Sequence, residues 1–263
     1  MTGGTASLVR TGSGVTSYRA EGAGPPLVLL HGLQVGQELF NQLRLHLESA
    51  FTVITYDQRD RGNTRFEPSA YTTDDLADDL ALLIEALGLS RAHVLGASFG
   101  GMVAQAFALR HADLLDGLVL GATSQAPFRP ERVAAPVAEL LRALENGNEE
   151  HARALLARMA PAATSTSAES GAPRSPDRNE GLIRRFAAAR SFDTRGHLGD
   201  ITAETLVVHG RHDAVVPVVD AFSMAGEVPR ADVLVLAGCG HTWENERPAR
   251  AAAAITCFLA DAR

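Results

Sequence analysis

The segment Gly96-Ala97-Ser98-Phe99-Gly100 sets a serine between two glycines, with an apolar run before it and good helix formers after it. That is G-x-S-x-G between a strand and a helix. It predicts a sharp turn that lifts the Ser98 hydroxyl above the sheet edge. Gly96 and Gly100 let the backbone pass closely, as a residue with a Cβ would not. Backbone N–H groups at the start of the following helix can meet developing negative charge. A serine hydroxyl is a poor nucleophile at neutral pH. It needs a base within hydrogen-bond reach, and the base needs a group to orient it. Of nine histidines, only His241 lies just past the last expected strand, with glycine beside it and an acidic candidate upstream. That acid is Asp213, directly after the run 205–209, with Asp57 as runner-up at another strand end.

These residues require a sheet to carry them. Residues 7–10 and 15–19 alternate weakly around Thr11-Gly12-Ser13-Gly14 and read as a hairpin. Leu27–His31, Phe51–Tyr56, His93–Leu95, Gly117–Gly121, Thr205–His209 and Asp232–Leu236 are short apolar runs, as expected of parallel strands buried on both faces. Between them fall a helix near 39–47, one over 73–87, one after Ser98, one near 218–224 and a closing helix from Pro248 to Leu259. In the second, Leu76, Leu80, Leu83, Ile84 and Leu87 line one face, Thr73 is placed to cap, and Gly88 terminates. Strand-helix alternation implies an open, mostly parallel sheet with right-handed crossovers. Residues 125–200 break the rhythm. They hold no good strand and read as helices near 131–146, 149–160 and 179–191, with a mobile loop over 162–178. Such an insertion is expected to form a lid, giving a core of 1–124 and 201–263 and a cap of 125–200.

Composition narrows the function classes. Net charge is −7, which disfavours a general binder of nucleic acid or anionic membrane. Two cysteines, Cys239 and Cys257, cannot make a disulfide framework and suit a reducing, cytoplasmic setting. Residues 1–14 lack the apolar segment of a signal peptide, and no run of about 18 apolar residues predicts a membrane span.

The chain resembles an α/β-hydrolase. The resemblance rests on Leu30-His31-Gly32, Gly96-Ala97-Ser98-Phe99-Gly100-Gly101, Gly210-Arg211-His212-Asp213 with Val216-Pro217, and Gly240-His241 followed by Glu246-Arg247-Pro248. It spans nearly the whole chain in the family's order. It implies an eight-stranded, mostly parallel sheet flanked by helices, Ser98 as nucleophile, His241 as base and Asp213 as orienting acid. It also implies an oxyanion hole from the backbone N–H groups of Leu33 and Phe99. One departure stands out: Asp60 occupies a place where the family usually carries glycine, in Asp57-Gln58-Arg59-Asp60-Arg61-Gly62. That turn is mostly structural in the family, so the edge of the pocket is where a difference is expected.

Other candidates have plainer readings. His209, His212 and Asp213 match no metal-ligand spacing, and no cofactor motif is present. His31 reads as packing or bonding behind the oxyanion loop and stands as a pocket candidate. Trp243 reads equally as lining the pocket or covering the surface. Arg184, Arg185 and Arg190 read as a solvated helix face, with steering of an anionic substrate as the alternative. Cys239 reads as a small buried residue rather than a partner of His241. The expected activity is hydrolysis of a small-molecule ester or lactone, similar to enol-lactonases and polyketide methylesterases. A C–C bond hydrolase using the same triad is the alternative. A hydrolase-fold ligand receptor or a cofactor-free oxygenase or cyclase is the alternative of another class. The sequence leaves a homo-oligomer open.

Overall fold

The computed structural model describes residues 6–133, 135–159 and 178–261. Eight strands form one sheet: β1 (Ser7–Thr11), β2 (Gly14–Gly22), β3 (Pro26–Leu30), β4 (Thr52–Tyr56), β5 (Ala92–Ala97), β6 (Leu115–Gly121), β7 (Glu204–Gly210) and β8 (Ala231–Leu236). Their order is β1-β2-β4-β3-β5-β6-β7-β8. β1 and β2 pair antiparallel, β2 pairs antiparallel with β4, and the pairs from β4 to β8 are parallel.

Why the central strands are continuously apolar follows from their two faces. Leu27 and Leu29 of β3 join one core cluster, and Val28 and Leu30 join the other. The first also holds Val53, Leu95, Val119, Leu206 and Val208, and is covered by α1 (Arg44–Leu47) and α9 (Pro248–Asp261). The second is covered by α2 (Thr73–Ala86), α3 (Phe99–Arg110) and α7 (Val219–Glu227). Period-2 side chains therefore meet helices on both sides.

Several boundaries move. The helix expected over 39–47 is a 3-10 turn at Gln37–Phe40 followed by the single-turn α1. Thr72, not Thr73, caps α2, in a reciprocal box with Asp75. Gly88 ends it at φ 71°. A short helix α8 (Trp243–Glu246) follows β8, where the sequence shows no helical period. Between β6 and β7 come α4 (Ala135–Glu145), α5 (Glu149–Met159) and α6 (Arg178–Ser191). The loop expected over 162–178 lies outside the described residues, apart from Arg178 at the start of α6. Among the described residues no helix is long and apolar enough to cross a membrane.

The chain leaves β3 toward β4 on one side and returns to β5 on the other. The crevice at the carboxyl ends of β3 and β5 is thus a topological switch point, where sheets of this kind bind ligands.

Candidate active site

Ser98 follows β5 with φ 55° and ψ −119°, a left-handed conformation costly for a residue with a side chain. Surrounding bonds hold it there. Its N–H donates to the Gly121 carbonyl at 2.8 Å, and Thr123 Oγ1 donates to its carbonyl at 2.8 Å. The glycines are sterically required: a Cβ on Gly96 would collide with the Gly100 carbonyl, and one on Gly100 with the carbonyl of Leu30. Helix α3 is therefore pressed against the end of β3.

Two further strand ends bring the other groups. His241 Nε2 lies 3.0 Å from Ser98 Oγ, and His241 Nδ1 lies 2.8 Å from Asp213 Oδ2. The Asp213 side chain is fully buried, whereas that of His241 is 23% exposed. Burial alone would raise the Asp213 pKa. Hydrogen bonds from His209 and His241, and the Val216 N–H, outweigh it and hold the carboxyl well below its ordinary range. An ionised Asp213 makes Nδ1 the donor, which leaves Nε2 to accept the Ser98 proton. Asp213 Oδ1 takes the N–H groups of Val215 and Val216 at 2.8 and 2.9 Å.

The loops carrying Asp213 and His241 are tied together. His212 N–H donates to the Cys239 carbonyl and Arg211 N–H to that of Leu236, at 2.8 and 3.0 Å. Glu246 accepts from the Gly240 N–H and, at 3.0 Å, from Thr242 Oγ1, closing the turn around His241. Fully buried His209 adds a donor that the sequence did not reveal. Its Nε2 sits 3.0 Å from the Val216 carbonyl and 3.2 Å from Asp213 Oδ2. Both partners are acceptors, so the proton is on Nε2.

The loop after β3 carries Leu33. A Cβ on Gly32 would lie 3.7 Å from Ser98 Cβ, so this loop abuts Ser98. Neither Leu33 N–H nor Phe99 N–H has an acceptor among the described residues. His31 is fully buried behind the loop. Its Nε2 accepts the Gln58 N–H at 3.1 Å, so Nδ1 carries the proton and donates to the Gly32 carbonyl at 2.8 Å. Burial, helped by the nearby Arg185 charge, keeps its pKa well below the ordinary value. One ring nitrogen is bonded to this loop and the other to the turn after β4, which corrects the expectation of His31 as a pocket residue and agrees with its reading as bonding behind the loop.

Three other expectations are corrected. Trp243 neither lines a pocket nor covers the surface: it is fully buried in the α1/α9 core, where Gly121 makes room for its ring. Asp57 is not a second orienting acid, because its carboxylate is bonded by Gln37 N–H and Nε2 at 3.0 and 2.8 Å. The arginines of α6 are neither a solvated face nor open to steer an anion. Arg185 is fully buried, and Arg184 Nε and Nη2 bond both Asp60 oxygens at 2.9 and 2.7 Å. Arg190 lies 3.7 Å from Glu145. Tyr71 Oη also donates to Asp60. Asp60 has φ 62°, which explains why glycine is usual there. Here a carboxylate is kept in that strained place by its bonds to α6 and Tyr71.

This elbow, its three strand-end loops and this sheet order define a class, and comparison agrees: a family model described as alpha/beta hydrolase fold matches residues 25–243, and the chain belongs to that family. Among particular relatives, 2-hydroxymuconate semialdehyde hydrolase of Pseudomonas sp. (strain CF600) is 30% identical, covering 94% of this chain and 91% of that protein. A protein provisionally named carbamate hydrolase RutD, from Caulobacter vibrioides (strain NA1000 / CB15N), is 31% identical over 90% of this chain and 91% of its own. A thermophilic esterase from Thermogutta terrifontis, solved with malate bound, superposes with a TM-score of 0.79 at 26% identity, covering 98% of this chain and 99% of that one.

Proposed function

We propose that this hydrolase cleaves a carboxylic ester or lactone through an acyl-enzyme on Ser98. The observation that carries the reading is the relay from Ser98 Oγ to His241 Nε2 and from Nδ1 to Asp213, at 3.0 and 2.8 Å. In this reading His241 takes the Ser98 proton as Oγ attacks the carbonyl carbon. The tetrahedral oxyanion is held by the N–H groups of Leu33 and Phe99. Collapse expels the alkoxide, which leaves with the proton from His241; in a lactone the ring opens and the alcohol stays attached. Water, deprotonated by His241, then attacks the acyl-enzyme and frees Ser98. The helices α4–α6 act as a cap over this site. Likeness to the Thermogutta terrifontis esterase supports the ester reading.

The test is initial rates on p-nitrophenyl acyl esters and simple lactones, wild type beside Ser98→Ala. Turnover by wild type and a loss on the order of 10⁶-fold in the variant are expected. A wild type inert on every ester and lactone would overturn the reading.

A second reading, cleavage of a C–C bond by the same residues, is favoured by the 30% identity to 2-hydroxymuconate semialdehyde hydrolase. Supplying that semialdehyde and following its absorbance decides between them. A kcat/KM on it more than about tenfold above the best ester, one decade being 1.36 kcal/mol of barrier, would put C–C cleavage first.

A further inference from the structure

Arg185 is an unusual residue to bury. It is fully enclosed, and among the described residues no carboxylate bonds it. Burial lowers its pKa to about 10, so it stays charged at neutral pH. Asp60 acts on it only through space; a buried cation with no carboxylate bonded to it is expensive, and a methionine would fill the same space at less cost. Its position therefore depends on what its donors do. Nη2 donates to the Gly32 carbonyl at 3.0 Å, Nε to that of Leu33 at 2.9 Å, and Nη1 to that of Arg59 at 3.1 Å. The guanidinium carbon also lies 4.9 Å from the centroid of the Phe99 ring. One side chain of α6 thus touches both residues whose N–H groups the proposed reaction uses.

Peptide geometry turns these contacts into an orientation. A trans peptide is planar, so the Gly32 carbonyl and the Leu33 N–H point in opposite directions. The carbonyl accepts from Arg185 Nη2 and from His31 Nδ1, which occupies both of its lone pairs. With the oxygen pinned on that side, the N–H is turned to the other, and Gly32 abuts Ser98. A cation behind the carbonyl also polarises the peptide and strengthens its N–H as a donor.

We infer that Arg185 is a positioning residue for the oxyanion hole: from α6 it locks the Gly32–Leu33 peptide so that the Leu33 N–H faces Ser98. The inference rests on the serine-hydrolase reading above. A merely structural role, docking α6 onto the core, would not act selectively on the transition state.

The experiment compares wild type, Arg185→Met, Arg185→Lys and Arg184→Met as full-length proteins. It measures kcat and KM on the best p-nitrophenyl ester, and Ki for an alkyl trifluoromethyl ketone, whose hemiketal oxygen mimics the oxyanion. Arg185→Met is expected to lower kcat and weaken the ketone in parallel, each on the order of 10²-fold, with KM within about threefold. Arg185→Lys keeps the charge but not the planar fork, and should fall nearly as far. It carries the test if the methionine variant does not fold. Arg184→Met breaks the neighbouring tie from α6 and should leave the ratio of Ki to KM unchanged. Unaltered kcat and Ki in the Arg185 variants, or KM and Ki rising together, would overturn the inference alone. A wild type that neither turns over an ester nor binds the ketone would overturn the reading beneath it, and the inference with it.

Discussion

The corner that joins Ser98, Asp213 and His241 and the contact between α6 and the turn at 57–62 both hold loops at the same crevice, by different means. At the first, three strand ends converge, and the ties are short backbone bonds and glycines that admit close approach, as where Gly210 meets the Gly240 carbonyl. At the second, the ties cross more than a hundred residues of chain and end in charged side chains: Arg184 on Asp60, Arg185 on three carbonyls. A corner built from the sheet is as rigid as the sheet. A contact built from arginines depends on α6 being docked.

The largest effect that would test this contrast is on the sheet-built side. Asp213→Asn should lower kcat by about 10⁴-fold, because the amide no longer enforces the Nδ1–H tautomer. Circular dichroism should show the fold kept, since the Val215 and Val216 N–H groups still find a carbonyl oxygen. A loss below tenfold would mean that His241 is oriented by something else.

Next comes Glu244, at the start of α8 and 2% exposed. Burial raises its pKa to about 7 from 4.5, and its Oε2 has no partner. Between those values the folded state holds a proton that the unfolded state has released. Stability therefore falls as pH rises through that window and is lowest above about 7. Glu244→Gln should match wild type near pH 4 and exceed it at pH 8, by at most about 3 kcal/mol. Coincident melting curves at pH 8 would sink this account.

The smallest effect lies on the arginine-built side. Asp60→Gly relieves a positive φ but removes the bidentate partner of Arg184 and the acceptor of Tyr71. The balance should be a loss of about 1–2 kcal/mol in urea unfolding. Limited proteolysis within α4–α6 should quicken, while kcat shifts by less than about tenfold. If proteolysis is unchanged, the Arg184–Asp60 pair does not fasten α6.

What the sequence revealed follows the same division. Strand-end motifs announce themselves because glycine and strand endings are local signals: the elbow, Asp213 and His241 were all readable, as was the sheet from its apolar runs. The cap is ambiguous by one residue in the sequence because Thr72 and Thr73 offer the same hydroxyl. The single turn of α8 is too short to show a period. Arg184 and Arg185 lie in a helix whose neighbours are Arg190 and Glu180, and so look solvated. Nothing local says that their partners are 124 and 152 residues away. Asp60 stands out in the sequence as a departure, but its meaning needs the φ of 62° and the arginine opposite. His209 matches no metal-ligand spacing in the sequence, and its bond to Asp213 stays hidden there because sequence shows donor types, not which atom faces which.

The strand order also bears on how the protein is made. The loop after β3 and Ser98 are translated early and belong to the middle of the sheet, whereas β7 and β8 reach its far edge last. A ribosome-bound chain ending before β7 would already contain Ser98 and the Arg185 that reaches back to the first loop, yet would lack Asp213 and His241. If the proposed reaction holds, the Ser98 hydroxyl therefore stays without its base until the loop after β8 has been made.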